Sequence, residues 1–260
     1  MKNVKKSGGT KKRPIRTLAI DIGGTGIKAL VLDDTGRPLT ERGRLKTPKP
    51  ATPQAVLDTI AELAKGQGAF DRVSIGFPGV IRKGVASTAP NLDPSWKGFH
   101  LVHHVEQLLG KPVRAANDAD VQGFGAICGD GVELVVTLGT GFGSALFVDG
   151  RLVPNLEIAH HPFRSTKTYE QELGDAVLKK IGKKKWNKRL EFAIQSLAAL
   201  FNYDRLYIGG GNAKKVALEL PEHVTLISNV AGLLGGIAFW QMDGNSSVGK
   251  KTKRPSKKYG

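Results

Sequence analysis

Two stretches of this 260-residue chain share one plan, and that plan limits the fold more than any other feature. Thr17 to Ile22 reads as a buried strand, Gly23-Gly24-Thr25-Gly26 as a turn and Ile27 to Asp33 as a second strand. Glu133 to Leu138, Gly139-Thr140-Gly141 and Ser144 to Val148 repeat the pattern, with Asp149-Gly150 turning into a strand at Arg151 to Val153. In the first copy Asp34-Thr35-Gly36 leads to a third strand expected around Leu39 to Arg44. Pro53 to Lys65 then carries apolar residues at helical spacing (Val56, Ile60, Leu63) and Arg72 to Phe77 reads as a strand, so helices and strands alternate and the class is α/β. Further helices are expected at Leu173 to Ile181, Leu190 to Phe201 and Val230 to Trp240, with a short strand at Arg205 to Ile208.

The two turns carry chemistry as well as shape. Asp21 ends a strand, and the glycines after it bare backbone N–H groups that can approach a phosphate closely, with Thr25 adding a hydroxyl. Leu138-Gly139-Thr140-Gly141-Phe142-Gly143 offers the same equipment. Either loop alone fits equally a hairpin turn that needs glycine for positive φ; the pair, each between two strands, favours a phosphate grip. No Gly-Lys-Ser or Gly-Lys-Thr follows the glycines and a strand rather than a helix comes next, which excludes the P-loop and the dinucleotide fingerprint.

Charge is unevenly spread. The net charge is +16, yet residues 1–16 hold seven Lys or Arg and no acid, residues 250–260 hold six, and Lys179 to Arg189 hold seven more, leaving the rest mildly acidic. Residues 1–16 and 244–260 are expected as basic disordered tails flanking lobes at 17–116 and 117–243. One cysteine, Cys128, excludes a disulfide framework or a multi-thiolate zinc site and fits a reducing cytoplasm. No apolar run approaches the roughly 20 residues of a membrane span, so no membrane partner is expected.

Lys179 to Arg189, including Lys183, Lys184, Lys185 and Lys188, reads either as a solvated helix face or as a track for a long polyanion. Asn117 and Asp118 follow a strand-like Pro112 to Ala115 and precede a helix rich in Gly and Ala. From the residues alone they fit a helix cap as well as a cleft-facing carboxylate.

Asp21 to Lys28, Pro90-Asn91-Leu92 with Trp96, Asn117-Asp118-Ala119-Asp120, Thr137 to Ser144, Pro154 to His160 and Tyr207 to Asn212 together resemble the ROK-type sugar kinases. These belong to the acetate and sugar kinase, heat-shock and actin superfamily, and the likeness is closest to its polyphosphate glucokinases. The resemblance spans Leu18 to about Trp240. It implies two ribonuclease-H-like lobes with mixed β-sheets flanking a central cleft, the actin-like ATPase fold. It implies phosphoryl transfer from inorganic polyphosphate, with ATP open as a second donor, to the primary hydroxyl of glucose or a related hexose such as mannose; the alternatives are a strictly ATP-dependent glucokinase and a nonenzymatic sugar-binding or nucleic-acid-associated member of the fold.

By the same resemblance Asp118 is the general base. Asp21, Gly23, Gly24, Thr25, Lys28, Gly139, Thr140, Gly141, Gly209 and Gly210 face the donor, and Asp21 lies near Mg2+, through water. Asn91, Asn117, Asp118, Glu157, His160 and Glu170 hold the sugar, with Glu172 a neighbour that leaves the register between it and Glu170 open. Ala159 stands where the motif usually has glycine, and His160-His161-Pro162-Phe163 replaces the zinc-binding cysteines of many relatives. No DNA-binding segment precedes Leu18, so a nucleic-acid partner is not expected, and relatives of this kind are often homodimers.

Overall fold

A computed structural model describes residues 13–227 and 231–241. Strands β1 (Thr17–Ile22), β2 (Ile27–Leu32) and β3 (Gly43–Leu45) form an antiparallel meander. Helix α1 (Pro53–Lys65) leads to β4 (Arg72–Phe77), which pairs parallel with β1. A small hairpin, β5 (Ile81–Arg82) and β6 (Val85–Ala86), and α2 (Leu101–Leu109) precede β7 (Val113–Asn117), parallel to β4. The first sheet therefore runs β3-β2-β1-β4-β7. After α3 (Asp118–Phe124), strands β8 (Val132–Leu138), β9 (Phe142–Val148) and β10 (Arg151–Val153) make a second meander. A hairpin of β11 (Pro162–Arg164) and β12 (Lys167–Thr168), then α4 (Tyr169–Leu173) and α5 (Asp175–Phe201), lead to β13 (Arg205–Gly209), β14 (Val224–Leu226) and α6 (Ala231–Gln241). The second sheet, β10-β9-β8-β13-β14, repeats the first strand for strand: three antiparallel, then two parallel.

Each sheet has its own core. Alternating apolar residues of β1, β2 and β4 (Leu18, Ile20, Ile27, Val31, Val73, Ile75) bury against Val56, Ile60 and Leu63 of α1 and Leu101 and Val105 of α2. In the second core Leu134, Val136, Leu206 and Ile208 bury against Leu190, Ala193, Ile194 and Leu197 of α5. Thr52 caps α1, accepting from Ala55 N, and Pro53 occupies the first helical position. Helix α6 lies between the sheets. Ile237 packs with Ala19, Leu30 and Leu32 of the first, while Phe239 stacks on Phe124 of α3 at 5.6 Å. Gly235 permits this closeness: a Cβ there would sit 1.6 Å from the Val121 carbonyl oxygen.

Three expectations shift. The third strand starts at Gly43 rather than near Leu39, because the Thr40 hydroxyl accepts the Val31 N–H at 2.9 Å and takes the place of a backbone partner. The two helices expected at Leu173 to Ile181 and Leu190 to Phe201 are the two parts of α5, which meet at a break at Gly182 (φ 78°, ψ 162°), the second starting earlier than expected; the short α4 before them was not expected. The basic segment at the N-terminus does not run as tail to residue 16: Arg13 pairs with Asp71, whose carboxylate also accepts from Arg16 N at 2.8 Å, and Arg16 O accepts from Asp71 N. The rest of that expected tail up to residue 12, the tail from 244 and Val230 of the last helix lie outside the described residues. Among the described residues no helix is long and apolar enough to cross a membrane.

Candidate active site

A cleft of about 610 Å³ opens between the sheets, and both glycine loops line it. The register explains why. Asp21 is the penultimate residue of β1 and lies opposite Lys28 on β2 and Gly76 on β4, while Gly76 in turn pairs with Ala116 of β7. The carboxyl ends of three neighbouring strands thus deliver Asp21, Gly76 and Asn117-Asp118 to one edge, where α/β sheets commonly hold ligands. The β8–β9 turn brings Gly139, Thr140 and Gly141 to the facing wall. The two loops close alike: Gly23 N donates to Gly26 O at 3.1 Å, and Gly139 N to Gly141 O at 3.0 Å.

None of the glycines in the two loops adopts a positive φ, so the hairpin-turn explanation of their presence does not hold. At Gly141 the backbone and the end of the Glu170 side chain lie close together, a Cβ there falling 2.3 Å from Glu170 Oε2 unless that carboxylate moved aside. The carboxylate of the expected sugar residue therefore rests against the backbone of the expected phosphate loop.

At Asn117 and Asp118 the two readings left open by the sequence are both realised. Asn117 caps α3, its Oδ1 accepting from Ala119 N at 2.8 Å, and its Nδ2 donates to Gly79 O at 3.3 Å. Asp118 lines the cleft, with Oδ1 accepting the same Ala119 N–H at 2.8 Å. Burial pushes the Asp118 carboxyl up to about 7, the charge of Asp21 adding to it and that of Glu157 reinforcing it. Burial likewise raises Asp120, followed by the charges of Asp118 and Glu157. Desolvation raises Glu157 too; His160 opposes the shift and Glu170 supports it. An acidic cluster thus lines one stretch of the cleft wall, with Lys28 Nζ donating to Asp21 Oδ2 at 2.7 Å beside it.

The cleft gathers Asp21, Gly23, Gly24, Thr25, Lys28, Asn91, Asn117, Asp118, Gly139, Thr140, Gly141, Glu157, His160, Glu170 and Gly210. Asn91 is placed by a loop pinned at Trp96, which is fully buried and donates from Nε1 to Ala51 O at 2.8 Å. Glu170, not Glu172, reaches the cleft: residues two apart on a helix point to opposite sides, and Glu172 is buried against Arg189 at 2.9 Å. Gly209 does not line it but packs against Gln122. Lys183, Lys184, Lys185 and Lys188 do not line it either; they are exposed on α5, because the buried face of that segment is taken by Trp186 and Asn187.

That helix nevertheless starts at the cleft. Asp175, its first residue, lines the cleft and donates from its N–H to Gly139 O at 3.0 Å, and Asn212 Nδ2 donates to the same oxygen at 3.3 Å. Farther along, Asn187 donates to Lys215 O and accepts from Ala217 N, holding α5 against the turn that carries Lys214 into the cleft. Lys214, Asp175, Arg42 and Gln122 are cleft residues that the sequence reading missed. A lysine one residue beyond Gly209-Gly210-Gly211-Asn212, after Ala213, was the available signal for Lys214.

The profile of the ROK family matches residues 17–157. The chain is 36% identical over 236 residues to the polyphosphate glucokinase of Mycobacterium tuberculosis, covering 83% of this chain and 88% of that protein. Among solved structures it is similar to the inorganic polyphosphate/ATP-glucomannokinase of Arthrobacter sp. strain KM, with a TM-score of 0.79 and 31% identity over 88% of this chain and 99% of that one. A ROK family glucokinase from Streptomyces griseus, solved with glucose and AMPPNP, superposes with a TM-score of 0.71 at 24% identity over 86% and 98% of the two chains, a likeness of fold. The doubled mixed sheet is that of the ROK sugar kinases, which have the actin-like ATPase fold.

Proposed function

The chain belongs to the ROK family, and from that membership and the cleft we propose that it transfers the terminal phosphoryl group of inorganic polyphosphate to the primary hydroxyl of glucose. The observation that carries the reading is Asp118, a carboxyl raised to about 7 by burial and by Asp21, in a cleft walled by two glycine loops. A base near neutrality is half ionised at working pH and still basic enough to take a proton. The hydroxyl oxygen attacks phosphorus as its proton passes to Asp118. The P–O bond to the rest of the donor breaks, and the donor leaves one phosphate shorter. Hydrogen-bond donors from the loops and Lys28 stabilise the equatorial oxygens, and orientation supplies most of the acceleration.

Asn91, Asn117, Glu157, His160 and Glu170 supply the mixed donors and acceptors that a hexose needs, and mannose fits the same set. The residues also fit Mg2+ carried by phosphate. Among the described residues no three His, Cys, Asp or Glu side chains converge as a metal cage, while Asp21 at the donor loop suits an ion that keeps most of its waters and takes phosphate oxygens. When bound, the ion would neutralise charge developing on the phosphoryl oxygens.

The choice of donor rests on α5. It begins on the Gly139 loop, and beyond Lys180 and the break at Gly182 it carries Lys183, Lys184, Lys185 and Lys188, exposed and outside the cleft, where a long polyanion could be met and ATP held in the cleft could not. ATP remains a second donor on this reading, because Gly210, Gly211 and Asn212 line the cleft beside the second loop. The test is a coupled assay of glucose phosphorylation with polyphosphate and with ATP at matched ionic strength. A kcat/KM for ATP equal to or above that for polyphosphate sinks the donor assignment, and no turnover with either leaves a sugar-binding protein without catalysis. A cytoplasmic homodimer completes the proposal, the assembly being checked by sedimentation.

A further inference from the structure

Arg189 belongs by sequence to the basic strip, yet its guanidinium is turned inward. Nη1 lies 2.9 Å from Glu172 Oε2, and the Arg189 side chain is 22% exposed where its partner in α4 is 5% exposed. Lys167 Nζ at 3.6 Å and Arg164 Nη1 at 3.7 Å complete a cage of three cations around that one buried carboxylate. One turn earlier on α5, Trp186 is fully buried and donates from Nε1 to Leu173 O at 2.9 Å. The five-residue helix α4 is therefore fastened to α5 at two consecutive residues, Glu172 and Leu173.

The opposite side of α4 presents Glu170 to the cleft, against Gly141. A helix this short has little intrinsic stability, and its orientation depends on what packs on it. Of its two glutamates one is spent on structure and the other left for ligand, and the first governs where the second points.

We propose that Arg189 serves the hexose pocket rather than the phosphate track: with Glu172 it forms a positioning pair that holds α4 so that Glu170 faces the sugar. This rests on the reading of Glu170 as a sugar-binding residue. It also removes Arg189 from the cations available to the donor, unlike Lys179, whose pair with Asp175 Oδ2 at 2.6 Å lies at the exposed surface.

The test compares Glu170→Gln, Glu172→Gln, Arg189→Gln and Arg189→Lys in the full chain, measuring glucose Kd by calorimetry without donor and KM for glucose and for polyphosphate of uniform length. Loss of the buried charge-assisted bond is expected to raise glucose Kd and KM about tenfold in both Glu172→Gln and Arg189→Gln. Polyphosphate KM should stay within about twofold, and kcat at saturating glucose should fall by less than about threefold. Arg189→Lys should recover part of the loss, and adding Arg189→Gln to Glu172→Gln should make binding no worse than Glu172→Gln alone, since the partner of Arg189 is then already gone. A raised polyphosphate KM with unchanged glucose Kd in Arg189→Gln overturns the proposal and returns the residue to the track. Should Glu172→Gln fail to fold, as judged by its thermal melt, the two Arg189 variants decide. If Glu170→Gln itself leaves glucose Kd unchanged, the sugar-pocket reading is what fails; if it weakens binding and Arg189→Gln does not, only the present inference falls.

Discussion

Lys28 and Asp21 face each other directly across the first hairpin, Nζ to Oδ2 at 2.7 Å, so the carboxylate whose charge helps raise Asp118 is itself tied to a cation. The pair sets the electrostatic level at which the proposed base works.

From this follows a pair of opposite pH shifts. Asp118 must be ionised to accept a proton, so kcat/KM for glucose rises with pH and levels off above about 7, the value to which Asp118 is raised. Asp21→Asn removes a negative charge and lets Asp118 ionise earlier, moving the acidic limb to lower pH. Lys28→Met leaves Asp21 uncompensated and moves the limb to higher pH. Rate profiles of both variants from about pH 5.5 to 8.5 check the signs, and shifts in the same direction refute the arrangement.

Asp118→Asn keeps the shape and the hydrogen bond from Ala119 but cannot take the proton. The expected outcome is a fall in kcat of about 10² to 10⁴ with glucose affinity changed only a few-fold, measured by turnover alongside calorimetry. A variant retaining a tenth of the wild-type rate would remove Asp118 from the role.

Replacing Lys183, Lys184, Lys185 and Lys188 together by Gln is expected to raise KM for long-chain polyphosphate at least about tenfold. It should also flatten the dependence of log KM on log salt, since fewer counterions are released. KM for ATP should change by no more than about twofold, because none of the four lines the cleft. Equal losses with both donors would show the strip acting through the fold.

Asp120 is 6% exposed and its carboxyl is raised to about 7. A raised folded-state value means the native protein holds the proton longer than the unfolded chain, so this contribution to stability is present below about pH 4 and is lost as pH rises towards 7. Asp120→Asn removes the buried charge. Its melting temperature at pH 8 should exceed that of the wild type, and the difference should shrink as pH is lowered. A variant less stable at pH 8 would show that Asp120 is ionised and well paired.

How far the sequence reveals this site depends on whether the relevant contacts are local. The glycine loops, Asp21 and the cap at Asn117 follow from neighbours along the chain, and the placement of β1, α1, β4 and β10 agrees with the reading to the residue. The Asp175–Lys179 pair, four apart on a helix, was legible in principle; Glu172 and Arg189, seventeen apart, meet only because α4 folds back on α5. Gln122 reaches the cleft by tertiary packing alone, whereas Lys214 follows the Gly209-Gly210-Gly211-Asn212 turn closely enough to have been read. Helix α2 had a readable signal in Leu101, Val102, Val105, Leu108 and Leu109 at helical spacing, whereas β14 is three residues long with Thr225 and Leu226 exposed, and offers none. Charge density marked the strip of lysines, but not that Trp186 and Asn187 turn it outward.

Helix α6, with Gly235 on the Val121 carbonyl and Gly236 lining the cleft, ties the site to a late stretch of the sequence. The strands of the first sheet all lie before α3, yet Ile237 of α6 packs on Ala19, Leu30 and Leu32 of that sheet. Ser74 Oγ donates to Gly236 O at 2.6 Å across 162 positions of chain, so this part of the cleft wall closes only when distant stretches of the sequence have met.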